Sequence, residues 1–92
     1  MGIVRLSGQL MCATDADVAL VAAHLPRHIA LTCANPTCLS FVVVQTADPL
    51  IWQVDEAFAD QAAFDAHQTR TRASDWYRLT AHIHRRYDIT TG

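Results

Sequence analysis

The chain contains no lysine, and its only glycines are Gly2, Gly8 and Gly92. So few glycines exclude the loops that cradle phosphate, so neither a P-loop nor a dinucleotide fingerprint is present. There is also no G-x-S-x-G nucleophile elbow. Cysteine is scarce and odd in number: Cys12, Cys33 and Cys38. An odd set makes no disulfide framework and fits a reducing compartment. Cys33 and Cys38 have no second pair to complete a zinc site, so all three read as small buried hydrophobes. No run approaches the roughly 20 apolar residues that span a bilayer. The N-terminus alternates in polarity after Arg5, which reads as a strand and not as a signal peptide. Met11 before Cys12 is too large for a lipoprotein cleavage site. The expectation is a cytoplasmic protein without a membrane partner. All seven cations are arginines, and the formal net charge is −2. Arg70, Arg72, Arg78, Arg85 and Arg86 cluster late in the chain but alternate with acids and aromatics. That pattern lacks the basic excess a nucleic-acid partner requires.

What the chain does have is apolar surface. Its 92 residues are 51% hydrophobic and 17% charged. The length implies one domain over 1–92. A domain so small buries only about 60–65% of the surface its unfolded chain exposes. The apolar excess therefore points to a second buried surface, most simply a homodimer interface.

The periodicities give an order of elements. Val4, Leu6, Leu10 and Cys12 share a face with Gly8, while Arg5, Ser7 and Gln9 share the other, a period of two. Thr14 and Asp15 then offer a helix cap, and Val18, Val21 and Leu25 follow at helical spacing. Pro26 should kink or end that helix, leaving "RHIALT" as a looser second piece. After the "NP" turn, "CLSFVVVQT" (38–46) is apolar on both faces and reads as a central strand. "LIWQVDEAF" (50–58) alternates, so 38–58 reads as a hairpin with Trp52, Val54, Glu56 and Phe58 on one face. Asp60 caps a helix over about 61–72, Ser74 caps a short one, and "RRYDIT" (85–90) closes the chain as a strand. The order is β-α-β-β-α-β with the second helix broken, an α+β, ferredoxin-like pattern with an antiparallel sheet.

Few residues offer chemistry. His24 and His28 stand at i and i+4, but no third metal ligand is evident, so they read as a surface pair. His82 and His84 flank the start of the last strand and lack a partner ligand. Glu56 shares a face with Trp52 and Phe58, where a carboxylate needs a partner, so a structural ion pair is the simplest role. His67 lies one turn from Phe64. It is either a core histidine or a group that moves protons near neutral pH.

Glu56-x-Phe58, a helix cap and Phe64-x-x-His67 together resemble the signature of the antibiotic biosynthesis monooxygenase family. "NPTCLSFVVVQTADPLIWQVDEAF" is similar to the family's turn, strand, hairpin and strand, and "TRASDWYRLTAHIHRRYDI" to its closing helix and strand. Asn35 and Thr37 depart from the acidic residue and glycine that usually flank Pro36. The resemblance implies a ferredoxin-like fold whose copies pair sheet against sheet as a dimeric α+β barrel. It implies oxidation of a quinol or aromatic polyketide-like substrate by O₂, with no cofactor and no metal. His67 would then be the catalytic base, with Trp52, Phe58, Phe64 and Trp76 contacting the ring and Glu56 in polar support. Two alternatives stand beside it. One is a haem-binding or haem-degrading relative, with His67 or else His82 as axial ligand. The other is a non-enzymatic dimer that binds small aromatics.

Overall fold

A computed structural model describes residues 2–92. Four strands form one antiparallel sheet: β1 (Val4–Met11), β2 (Cys38–Gln45), β3 (Ile51–Phe58) and β4 (His84–Thr91). Their order is β2-β3-β1-β4. Three helices, α1 (Asp15–Cys33), α2 (Gln61–Arg72) and α3 (Asp75–Thr80), complete the ferredoxin-like β-α-β-β-α-β order, with the second helix divided into α2 and α3.

The caps are those expected from the sequence. Thr14 Oγ1 accepts from the Asp17 amide, Asp60 from Ala63 and Ser74 from Tyr77, so each helix starts with one orphan donor satisfied. Pro26 neither ends nor divides α1, which runs through it for 19 residues. The reason lies in the two faces of the helix. Pro26 and Ala22, whose carbonyl loses its partner, are both exposed, so water reaches that carbonyl. Opposite them Val21, Leu25, His28 and Thr32 bury a continuous stripe. Packing along that stripe offsets the roughly 3 kcal/mol that an interior proline costs.

β2 is also placed differently from expectation. It is an edge strand, and Leu39, Val42 and Val44 on it are about half exposed. Its apolar character on both faces therefore marks an uncovered surface and not a central position.

The helices cover one face of the sheet. Val4, Leu6 and Leu10 of β1 and Trp52, Val54, Glu56 and Phe58 of β3 point into it, against Val21 and Leu25 of α1 and Phe64 of α2. Gly8 lies mid-strand, paired with Val54 on one side and Tyr87 on the other. A Cβ there would stand 2.0 Å from the Arg86 carbonyl oxygen. Only glycine lets β1 and β4 approach so closely, and it adds no side chain between Val54 and Tyr87.

Candidate active site

One end of the helix-covered face departs from ordinary core. Glu56 sits near the end of β3, flanked in register by Leu6 of β1 and Phe41 of β2. Above it α2 brings His67 down from the turn after Phe64, and the His67 ring is only 3% exposed. His67 Nε2 stands 3.6 Å from Glu56 Oε1 and 3.4 Å from Thr71 Oγ1. From α1 comes His28, buried and stacked face to face on Trp76 of α3, with centroids 5.0 Å apart and planes 9° from parallel. The two imidazoles lie 6.1 Å apart. Phe41 meets both edge-on, at 5.4 Å from His28 and 5.7 Å from His67. Phe58 packs behind His67 at 4.7 Å and holds Phe64 at 5.6 Å on its other side.

Cavities open around this cluster. One of about 210 Å³ is lined by His28, Glu56, His67, Trp76, Arg85 and Tyr87 with their neighbours. A second of about 210 Å³ lies between α1 and α2 over His28 and His67. A third, about 540 Å³, runs between α1 and α3 past His24, His28 and Trp76. His28 borders all three, so they are neighbouring cavities grouped around that residue.

Burial governs the titration of these groups. It pushes the Glu56 carboxyl up to about 7. It pulls the His67 imidazole down to about 4, with Arg70 adding to the effect. It pulls His28 down to about 4 as well, helped by His67 and Arg85. The Glu56–His67 contact is longer than a hydrogen bond, so mutual attraction does not override desolvation. At pH 7 both imidazoles are neutral, and the group poised near neutrality is the carboxyl and not, as the sequence led us to expect, the imidazole. Tyr87 is raised to about 12 by burial, which keeps its phenol protonated as a hydrogen-bond donor.

Of the residues singled out from sequence, Glu56, His67 and Trp76 line the cavities. Phe58 and Phe64 form the packed wall behind His67. Trp52 lines none of these cavities; it lies four residues from Glu56 along β3, ~13 Å at the strand rise. Its indole nitrogen is buried without a hydrogen-bond partner, close to the buried Cys12 thiol. His82 is elsewhere, its Nε2 2.8 Å from Asp17 Oδ1. His67 Nε2 faces Glu56 and Thr71, and His82 lines none of the three cavities, so the two histidines do not converge on one site. Among the described residues no three His, Cys, Asp or Glu side chains group as metal ligands.

His28, Arg85 and Tyr87 are cavity residues that the sequence did not single out as site residues. Expected as a surface partner of His24, His28 instead occupies the buried Val21–Leu25–His28–Thr32 stripe, and that spacing is the available signal. Arg85 and Tyr87 alternate toward the helices on β4, Tyr87 directly opposite Gly8. Arg85 donates to the carbonyls of Thr80 and Ile83 and to Thr80 Oγ1, which pins the turn after α3.

The sequence model of the family "Antibiotic biosynthesis monooxygenase" matches residues 8–79. Solved structures share the fold over nearly the whole of this chain. A Nitrosomonas europaea protein assigned to the antibiotic biosynthesis monooxygenases superposes with a TM-score of 0.84 at 20% identity, covering 100% of this chain and 92% of that one. SnoaB, a cofactor-independent oxygenase from Streptomyces nogalater, gives 0.81 at 11% identity, covering 100% and 94%. A Caulobacter crescentus protein with the same family assignment gives 0.79 at 16% identity, covering 99% and 90%. No curated protein matches this sequence.

Proposed function

We propose that this chain, which belongs to the antibiotic biosynthesis monooxygenase family, oxidises a quinol or an aromatic polyketide-like compound with O₂ and without a cofactor. The observation that carries this reading is the buried Glu56–His67 pair beside a ring-walled cavity. Such chemistry needs a protein to bind a flat ring, take one proton and exclude water. The stacked His28–Trp76 pair offers the ring a flat wall, with the edge of Phe41 beside it. The Glu56–His67 pair offers the proton acceptor: a neutral imidazole receives the proton, and ionised Glu56 beside it stabilises the imidazolium.

The substrate supplies all the electrons. An anthrone, for example, loses a methylene proton to the pair and becomes an electron-rich anion. One electron passes to O₂, and recombination forms a carbon–oxygen bond. The resulting peroxide anion takes the proton back from the pair. Loss of water breaks the O–O bond, removes the remaining methylene hydrogen and leaves a carbonyl. One oxygen atom ends in the quinone and the other in water.

Purified protein freed of metal and flavin should consume one O₂ per anthrone oxidised, followed with an oxygen electrode. Absence of uptake with anthrones and hydroquinones alike would leave a non-enzymatic aromatic-binding protein. His67→Ala should slow uptake at least about tenfold, the low end of general-base assistance.

The reading includes a homodimer formed through the open face of the sheet. Val42 and Val44 are 48% and 52% exposed there, beside Met11 and Ile51. Light scattering should give about twice the 10.2 kDa chain mass. A stable monomer at micromolar concentration would refute that interface. Cys12 is buried as expected, whereas Cys33 is exposed and Cys38 half-buried; as three free thiols they support a reducing, cytoplasmic setting.

A further inference from the structure

The acids and bases of this protein are not evenly spread. Its formal net charge is −2, with nine acids against seven arginines. Yet Arg27, Arg70, Arg72, Arg78 and Arg85, five of the seven, each line one of the three cavities around His28. Only two carboxylates, Glu56 and Asp75, line the same cavities. Asp75 is paired with Arg78 at 3.4 Å. Among the described residues Arg27, Arg70, Arg72 and Arg85 have no carboxylate within salt-bridge distance. The surroundings of the His28 cavities are therefore positive on a protein that is negative overall.

We propose that the ligand is a flat aromatic that carries an anionic group, such as a ring carboxylate, read by these arginines while its ring lies against the His28–Trp76 stack. The inference rests on the reading of these cavities as the ring-binding site and names the substrate class for it. Three features support it together. The arginines without a carboxylate partner come from α1, α2 and the start of β4, so they converge on the His28 cavities from separate elements instead of forming one solvated stripe. The α1–α3 cavity, about 540 Å³, extends past the stacked rings and gives a substituent room beyond them. Glu56, the carboxylate at the floor, is half protonated at neutral pH and so repels an incoming anion less than a fixed charge. The same field favours the ring anion that must form before O₂ reacts, because guanidinium groups stabilise charge that develops nearby.

The test is equilibrium dialysis of the unmodified protein against two probes of equal size, anthraquinone carboxylate and its neutral hydroxymethyl counterpart. At about 20 mM salt the carboxylate should bind roughly tenfold more tightly, and the preference should shrink to about threefold or less at about 500 mM, as screening requires. The double variant Arg70→Gln/Arg72→Gln should lower carboxylate affinity about threefold or more while leaving the neutral probe unchanged, the range of partly exposed charge contacts. Equal affinity for both probes, a preference that ignores salt, an Arg70→Gln/Arg72→Gln protein that loses both probes alike, or no binding of either probe would overturn the proposal. Dialysis measures no oxygen. A failure here with oxygen uptake intact rejects the anionic ligand alone, and a preserved preference without oxygen uptake rejects the monooxygenase alone.

Discussion

The two ends of the helix-covered sheet face are built on the same strands and obey different rules. At one end Leu10, Val21, Leu25 and Trp52 pack as dry core. At the other, a few residues along β1 and β3, the same inward alternation delivers Glu56 beneath two buried imidazoles and leaves cavities around them. A small domain has little stability to spare. Burying three titratable groups together at one end is costly for folding, so the dry end must carry the fold, while the wet end holds the groups proposed for the chemistry.

The largest effect that tests this contrast is expected at the dry end. Leu25→Ala removes a side chain 5% exposed that lines none of the cavities, and it should cost about 2–5 kcal/mol in denaturant unfolding, with the activity of the remaining folded protein unchanged. Gly8→Ala should also destabilise, by moving β4 away from β1, and it should disturb the Tyr87 wall of the cavity as well.

The wet end should respond in the opposite sense. Glu56 is an acid whose folded value, about 7, stands above its ordinary one of 4.5. Its protonated form is the favoured one in the fold, so its own contribution to stability is full below about pH 4.5, is lost as pH rises from there to about 7, and changes little above that. Glu56→Gln should therefore stabilise the protein at pH 8 by up to about 2–3 kcal/mol and change little at pH 4. A variant that destabilises equally at both pH values would show that Glu56 is a structural anchor and would erase the contrast.

A smaller effect concerns the imidazoles. His28 and His67 are bases whose folded values, about 4, lie below the ordinary 6.5. The unfolded chain takes up their protons first, so stability falls as pH drops from about 6.5 to 4. Urea midpoints across that window should record the loss. His28→Phe, which keeps the stack on Trp76, should flatten the slope by about 1–2 kcal/mol after allowance for solvent screening.

The fold was largely legible in the sequence because its signals are local. Thr14, Asp60 and Ser74 announce the three helix starts, and the period of two in 3–13 and 50–58 announces strands that face helices. Pro26 misled because proline's local cost was weighed without the buried stripe from Val21 to Thr32, which exists only once α1 meets the sheet. β2 misled because two-sided apolarity looks the same in a central strand and in an edge strand with an uncovered face. The site was legible in part. Glu56, His67 and Trp76 stand out by spacing and type, but the partnership of Glu56 with His67 spans α2 and β3 and has no sequence period. His28, Arg85 and Tyr87 arrive from α1 and β4, and only the sheet register brings them to the cavity. The shift of both buried groups away from their ordinary values follows from burial, which composition does not reveal.

The central claim is that the Glu56–His67 pair takes the substrate proton. The most direct test is the pH profile of oxygen uptake with an anthrone, from about pH 5 to 9, for the unmodified protein and for Glu56→Gln. The unmodified rate should rise through about pH 7 as Glu56 ionises. In Glu56→Gln that rise should disappear, and the rate at pH 8 should fall at least about tenfold. A Glu56→Gln protein that keeps both the full rate and the same rise near pH 7 would contradict the account.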